Sequence, residues 1–172
     1  MPPEEPEMGK ENLPDNSIVN DLYAMPGHLI RRLQQASVAV VISKFSEYGY
    51  DLTPVQFAAM KTLALHPGID QASLASLIAY DRTTIGGVVD RLVQKDLVIR
   101  EVSPTDRRAR ILQLSQQGQK ALREVEPLIL EAQHEILLGL PVEDHEAFTQ
   151  QLRKCLNALN HRTRKPALKK RV

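Results

Sequence analysis

Tryptophan is missing from this chain and cysteine nearly so: 172 residues include no Trp, one Cys, three Phe and four Tyr. A single thiol excludes an internal disulfide framework, and so few aromatics suit a mostly helical protein better than a β-sandwich. No apolar run approaches the roughly 18 residues of a membrane-spanning helix. The N-terminus is acidic and proline-rich and lacks the apolar segment of a secretory signal, so a soluble cytoplasmic protein is expected. There is no glycine-rich phosphate loop, no metal-binding motif and no nucleophile with an evident base, which argues against an enzyme and against a bound cofactor or metal. The five histidines are scattered. A formal net charge of only +1 leaves nucleic-acid binding unannounced by composition.

What is present is organised. With 42% hydrophobic residues the chain can bury the core of one domain. Residues 1–17 carry five acids against one base, and residues 162–171 carry six bases and no acid. Residues 1–20 therefore read as a flexible acidic arm and 162–172 as a basic tail. Asp21 to Tyr48 is expected to form a long helix, entered or kinked at Pro26-Gly27. Leu29, Leu33, Ala36 and Val40 make one stripe along it, and Ile30, Ser37, Val41 and Phe45 a second beside the first. A helix apolar over so much of its girth needs burial on more than one side, and a second copy of the chain is the natural partner.

Thr53-Pro54-Val55-Gln56 is a helix start with an N-cap, a proline at the first helical position and a glutamine placed to close a capping box. His66-Pro67-Gly68 ends that helix, and Asp70 caps a short one from Gln71 to Ile78. After the turn at Tyr80-Asp81 comes the stretch on which the reading centres, Asp81 to Leu114. On a helical wheel Ile85, Val88, Val89 and Leu92 gather on one side, and Thr83, Gly87, Asp90, Arg91 and Gln94 on the other. The outward face is small and hydrogen-bonding, as a helix entering a DNA major groove requires. Gly86 and Gly87 each lower helix propensity by about 1 kcal/mol relative to Ala, so they imply either close approach to DNA or tight packing on a neighbouring helix. Two short strands, Leu97–Val102 and Ala109–Leu114, then flank a turn that carries Asp106, Arg107, Arg108 and Arg110. Two short helices and a hairpin are the parts of a winged helix-turn-helix over residues 51–114.

Ser115 is placed to cap a helix running to about Leu138, with Ala121, Leu122, Val125, Leu128, Ile129, Ala132 and Ile136 on its apolar face. A last helix follows from Glu143 to about His161. In it Cys155 recurs with Phe148, Leu152, Leu156 and Leu159 at helical spacing, which predicts a buried structural thiol. Residues 21–50 and 115–161 together carry more apolar surface than the central lobe can cover, which again points to a homodimer.

Asp81-Arg82-Thr83-Thr84, Val89-Asp90-Arg91-Leu92, Leu97-Val98-Ile99-Arg100 and Asp106-Arg107-Arg108 together resemble the pattern of the MarR family of winged-helix transcription regulators. The likeness runs from about Leu29 to Leu159. One departure is Asp96, where the family usually has glycine; aspartate tolerates a left-handed backbone better than most residues, so the turn is expected to survive. The resemblance implies a mostly α fold of six helices with a two- or three-stranded β-wing, assembled as an intertwined homodimer. It also implies a double-stranded, pseudo-palindromic DNA operator and, in many members, repression released by a small molecule, an aromatic carboxylate in many cases.

On this footing Thr83, Thr84, Gly87, Asp90 and Arg91 are candidates at or beside base edges. Arg82, Gln71 and Ser73 are candidates for phosphates, helped by helix N-terminal amides. Arg107 or Arg108 would enter the minor groove, with Arg110 beside them and Asp106 orienting Arg91 or Arg108. The bland alternative for the arginines is a solvated hairpin tip; for the whole lobe it is a protein-contact module. For a ligand, His28 shares a face of the first long helix with Arg31 and Arg32. An imidazole and a guanidinium could hold a carboxylate there, or the three could be surface charges. Redox sensing in the resembling family uses a cysteine near the first helix, where this chain has none.

Overall fold

A computed structural model describes residues 22–104 and 110–163. Among these residues lie six α-helices, two 3-10 turns and a three-stranded sheet. A 3-10 turn at Leu22–Ala24 precedes α1 (Pro26–Glu47), so the first long helix is entered at its proline and not kinked there. Helix α2 (Pro54–Leu65) begins with the full capping box, Thr53 accepting from Gln56 N and Gln56 accepting from Thr53 N. Strand β1 (Ile69–Asp70) leads into α3 (Gln71–Leu77), and α4 spans Arg82–Gln94. Strands β2 (Val98–Val102) and β3 (Arg110–Leu114) pair antiparallel, with β1 on the other edge of β3. Helix α5 covers Gln116–Ile136, and α6 covers His145–Thr163 after a 3-10 turn at Val142–Asp144.

One core joins these parts. Phe45 of α1, Met60 and Leu63 of α2, Leu74 of α3, Ile85, Val89 and Leu92 of α4, Leu112 of β3 and Val125 of α5 are all fully buried. On α5 the expected face is inward: Ala121, Leu122, Val125, Leu128 and Ala132 are buried, and Ile129 and Ile136 pack against them. The loop between α1 and α2 is tied at both ends of the lobe. The Tyr50 hydroxyl donates to the Glu124 carboxylate of α5, and Lys95, just past α4, donates to Asp51 at 2.7 Å.

Elsewhere apolar residues stay uncovered. On α1, Leu29 is 49% exposed, Ile30 55% and Leu33 37%; on α6, Leu156 is 59% exposed and Leu159 56%. Cys155 is exposed too, which corrects the expectation of a buried thiol within the single chain: its helical stripe exists, half-buried at Phe148 and Leu152 and exposed from Cys155 onward. No helix among the described residues is long and apolar enough to cross a membrane.

Candidate nucleic-acid interface

The helix-turn-helix consists of α3 and α4, each started by an aspartate. Asp70 accepts from Ser73 N at 2.8 Å and from the Ser73 hydroxyl at 3.0 Å. Asp81 does the same for Thr84, at 2.8 Å from its N and 2.5 Å from its hydroxyl. These bonds hold both carboxyls below their ordinary range: for Asp70 the Ser73 backbone N–H is the chief cause, and for Asp81 the Thr84 hydroxyl. In the chain alone, then, the Ser73 and Thr84 hydroxyls donate to the capping carboxylates.

Between the helices Ala79 takes φ of 58°, a left-handed conformation that costs a non-glycine residue roughly 1–2 kcal/mol. At the far end of α4, Asp96 takes φ of 56°, so aspartate does hold the turn that glycine makes in the resembling pattern.

The four residues expected inside α4, Ile85, Val88, Val89 and Leu92, are its buried residues. The opposite face is open: Arg82, Thr83, Thr84, Asp90 and Arg91 are exposed, and Gly87 is partly so. A Cβ on Gly86 would stand 3.3 Å from Nε2 of Gln71, so Gly86 makes room for the first residue of α3. A methyl there needs the Gln71 side-chain amide to give by a few tenths of an ångström. At Gly87 a Cβ would meet only the Arg91 guanidinium, at an ordinary 3.7 Å, so packing does not require glycine there. Asp90 does not stand free, because Arg100 of β2 donates to it at 2.5 Å. Arg110 is exposed at the turn end of the hairpin, opposite Val102. Asp106, Arg107 and Arg108 lie outside the described residues.

His28, Arg31 and Arg32 lie in the first two turns of α1. Nε2 of His28 is buried without a hydrogen-bond partner, and its ring meets that of Tyr23 edge-on with centroids 5.6 Å apart. Arg31 donates to Gln35 at 3.2 Å, and both arginines are exposed. A cavity of about 550 Å³ opens one turn further along, lined by Ile30, Leu33, Phe57, Ile129 and Phe148 among others. Of this part of α1, Ile30, Leu33 and Gln34 line the cavity; the three candidate ligand residues do not. No group of three potential metal ligands occurs among the described residues.

Two features at the site escaped the sequence. One is the Asp90–Arg100 pair, which joins residues ten apart through tertiary packing. The other is Gly118 on α5, where a Cβ would fall 2.0 Å from the carbonyl oxygen of Leu97.

Comparison with known proteins agrees with this geometry. The model of the MarR family matches residues 52–109, the span from the capping box of α2 to the start of β3. The transcriptional regulator HosA of Escherichia coli O111:H- is 33% identical over 131 residues, covering 76% of this chain and 94% of that protein. The HTH-type transcriptional repressor NicR of Pseudomonas putida is 29% identical over 157 residues, covering 88% and 97%. Among solved structures, Bordetella bronchiseptica BpsR, whose DNA binding is regulated by 6-hydroxynicotinic acid, superposes with a TM-score of 0.72 at 26% identity, covering 78% of this chain and 95% of that one. A winged helix-turn-helix with these relatives is a DNA-binding transcriptional regulator, and the chain belongs to the MarR family.

Proposed function

We propose that this regulator is a homodimeric repressor that reads a pseudo-palindromic operator and is released from it by a small aromatic acid. The observation that carries the reading is α4, a helix with its apolar side fully buried and an outward face of threonine, glycine and arginine. In this assignment residues 51–114 read DNA, while 21–50 and 115–161 dimerise. The uncovered Leu29, Ile30, Leu33 and Leu156 need a partner, and a second copy supplies the same surface in return. Thr83 and Arg91 reach base edges, with Gly87 letting the helix approach closely. Arg82, Gln71 and Arg110 take phosphates. Arg107 or Arg108 enters the minor groove, with Asp106 holding one arginine in place. Ser73 and Thr84 act through the caps they complete.

For the effector, the buried, unpartnered Nε2 of His28 offers one hydrogen bond, and Arg32, four residues on, offers a charge. The adjacent cavity is walled by leucine, isoleucine and phenylalanine and suits an aromatic ring. It lies where α1, α2, α5 and α6 meet, so a ligand there bears on the angle between the dimerising helices and the DNA-reading lobe. BpsR, which answers to an aromatic acid, supports the class of ligand. Thermal-shift measurements with benzoic, hydroxybenzoic, cinnamic and nicotinic acids test this. An active acid raises the melting temperature of the wild type, does so much less in His28→Ala and Arg32→Ala, and weakens operator binding. A panel without any shift, or a shift that both variants keep in full, would sink the site.

A further inference from the structure

Side chains of β2 alternate, so Val98, Arg100 and Val102 share one side of the strand and Ile99 and Glu101 the other. In the ladder Val98 stands opposite Leu114 and Arg100 opposite Leu112. Val98, Leu112 and Leu114 are core residues, so Arg100 occupies the core-facing side of the sheet at a place where the pattern calls for an aliphatic residue. Its stem runs past the edge of the core and its Nη2 meets Oδ1 of Asp90 at 2.5 Å, with the two side chains 34% and 58% exposed. Asp90 precedes Arg91 and follows Gly87 by three residues on the outward side of α4. The bond therefore joins the DNA-facing helix to the strand that leads into the wing. An exposed ion pair of this kind adds little to folding stability, so its place at the junction is better explained by geometry.

We propose that Asp90 and Arg100 form a brace that sets the offset between α4 and the wing, so that both engage one half-site together. The inference rests on the DNA reading above. A helix in the major groove and a wing in the neighbouring minor groove are two contacts made by one chain, and the second is gained cheaply only if the strand leading to it is fixed relative to the first. Asp90 is thus a positioning residue for recognition. Its carboxylate is occupied by a guanidinium, is unsuited to phosphate and contacts no base.

The test uses full-length protein, a duplex it selects from a random library, and a scrambled duplex of equal length. Asp90→Asn and Arg100→Gln each weaken binding to the selected duplex about tenfold, and the double variant loses about the same tenfold, because the residues act as one unit. Binding to the scrambled duplex changes less than about twofold, since that affinity comes from phosphate neutralisation. In both single variants protection of the minor groove from hydroxyl radicals under the wing is lost, while methylation protection of guanines under α4 persists. Melting temperatures near the wild-type value separate positioning from unfolding. A loss of about a hundredfold in the double variant, or no loss in either single variant, overturns the brace while leaving DNA reading intact. So does joint disappearance of both protections. A wild-type protein that fails to discriminate between the duplexes overturns the DNA reading and the brace with it.

Discussion

Gly118→Ala is a one-methyl change on a helix, and helix propensity alone says it should stabilise by about 1 kcal/mol. The structure says the opposite. The added Cβ would stand 2.0 Å from Leu97 O, 2.9 Å from Leu97 C and 3.2 Å from Leu97 Cα, whereas real Cβ contacts essentially never fall below 3.0 Å. Every one of these neighbours is backbone, so no side chain can swing aside. Either α5 or the start of β2 must move by about 1 Å, with the cost of an overpacked core, roughly 1–3 kcal/mol. The same movement stretches the Ser115 N to Leu97 O bond at 3.1 Å and the Ser115 hydroxyl to Asp96 O bond at 2.5 Å. Losing one or two such bonds costs about 1 kcal/mol each. The balance is a net destabilisation of about 1–4 kcal/mol, and a central value near 2.5 lowers the melting temperature of a domain this size by about 5–10 °C. Thermal denaturation followed by circular dichroism reads this, at equal chain concentration because an oligomer's melting point depends on it. Gly87→Ala is the control. Its Cβ has ordinary room, so it gains the propensity term and melts about 2–4 °C higher. A Gly118→Ala protein that melts at or above the wild type would mean that Leu97 and α5 can part without cost.

Acid should loosen the two helix starts of the DNA-reading lobe. Asp70 and Asp81 have lowered values in the folded chain, so their contribution is whole above the unfolded-chain value of about 3.9 and is lost as pH falls towards the lowered folded values. NMR titration of the Ser73 and Thr84 amides should show both caps outlasting the ordinary carboxylate value of about 3.9 as pH falls, and a cap that releases at or above that value would contradict the assignment. Leu156→Glu with Leu159→Glu places charge on an exposed apolar stripe of α6. Sedimentation should then show a folded monomer in place of a dimer, and an unchanged dimer would move the interface elsewhere.

Periodicity made the interior of α4 legible before any coordinates. Ile85, Val88, Val89 and Leu92 repeat at helical spacing, and burial of an apolar stripe requires no knowledge of what covers it. The caps Thr53, Asp70, Asp81 and Ser115 were legible for a related reason, since each acts on an amide two or three residues away. The same locality explains the failures. The stripe through Cys155 is legible as apolar, but its thiol, expected buried, is exposed in the single chain, because periodicity reveals a face and not its partner. Strand β1 is two residues long, too short to alternate, and exists because β3 offers it an edge. Ala79 carries no residue signal for its left-handed turn, unlike Asp96. Gly118 and Arg100 owe their meaning to Leu97 and Asp90, which tertiary packing alone brings beside them. At the interface, residue types named the outward face of α4, but hydrogen bonds sorted it. Thr84, Ser73 and Asp90 each have a hydrogen-bond partner within the fold, whereas Arg82, Thr83, Arg91 and Gln94 are exposed on α4.

If two copies of α4 and its wing read DNA together, footprinting and titration of the purified full-length chain on the DNA beside its own coding sequence should show a dyad-symmetric protected region with half-sites about 10 bp apart or a multiple of it. Affinity should also fall steeply as salt rises and drop by about 1–3 kcal/mol in Arg91→Ala and in Arg108→Ala. An asymmetric footprint, or affinities that neither variant changes at fixed salt, would contradict reading by two copies.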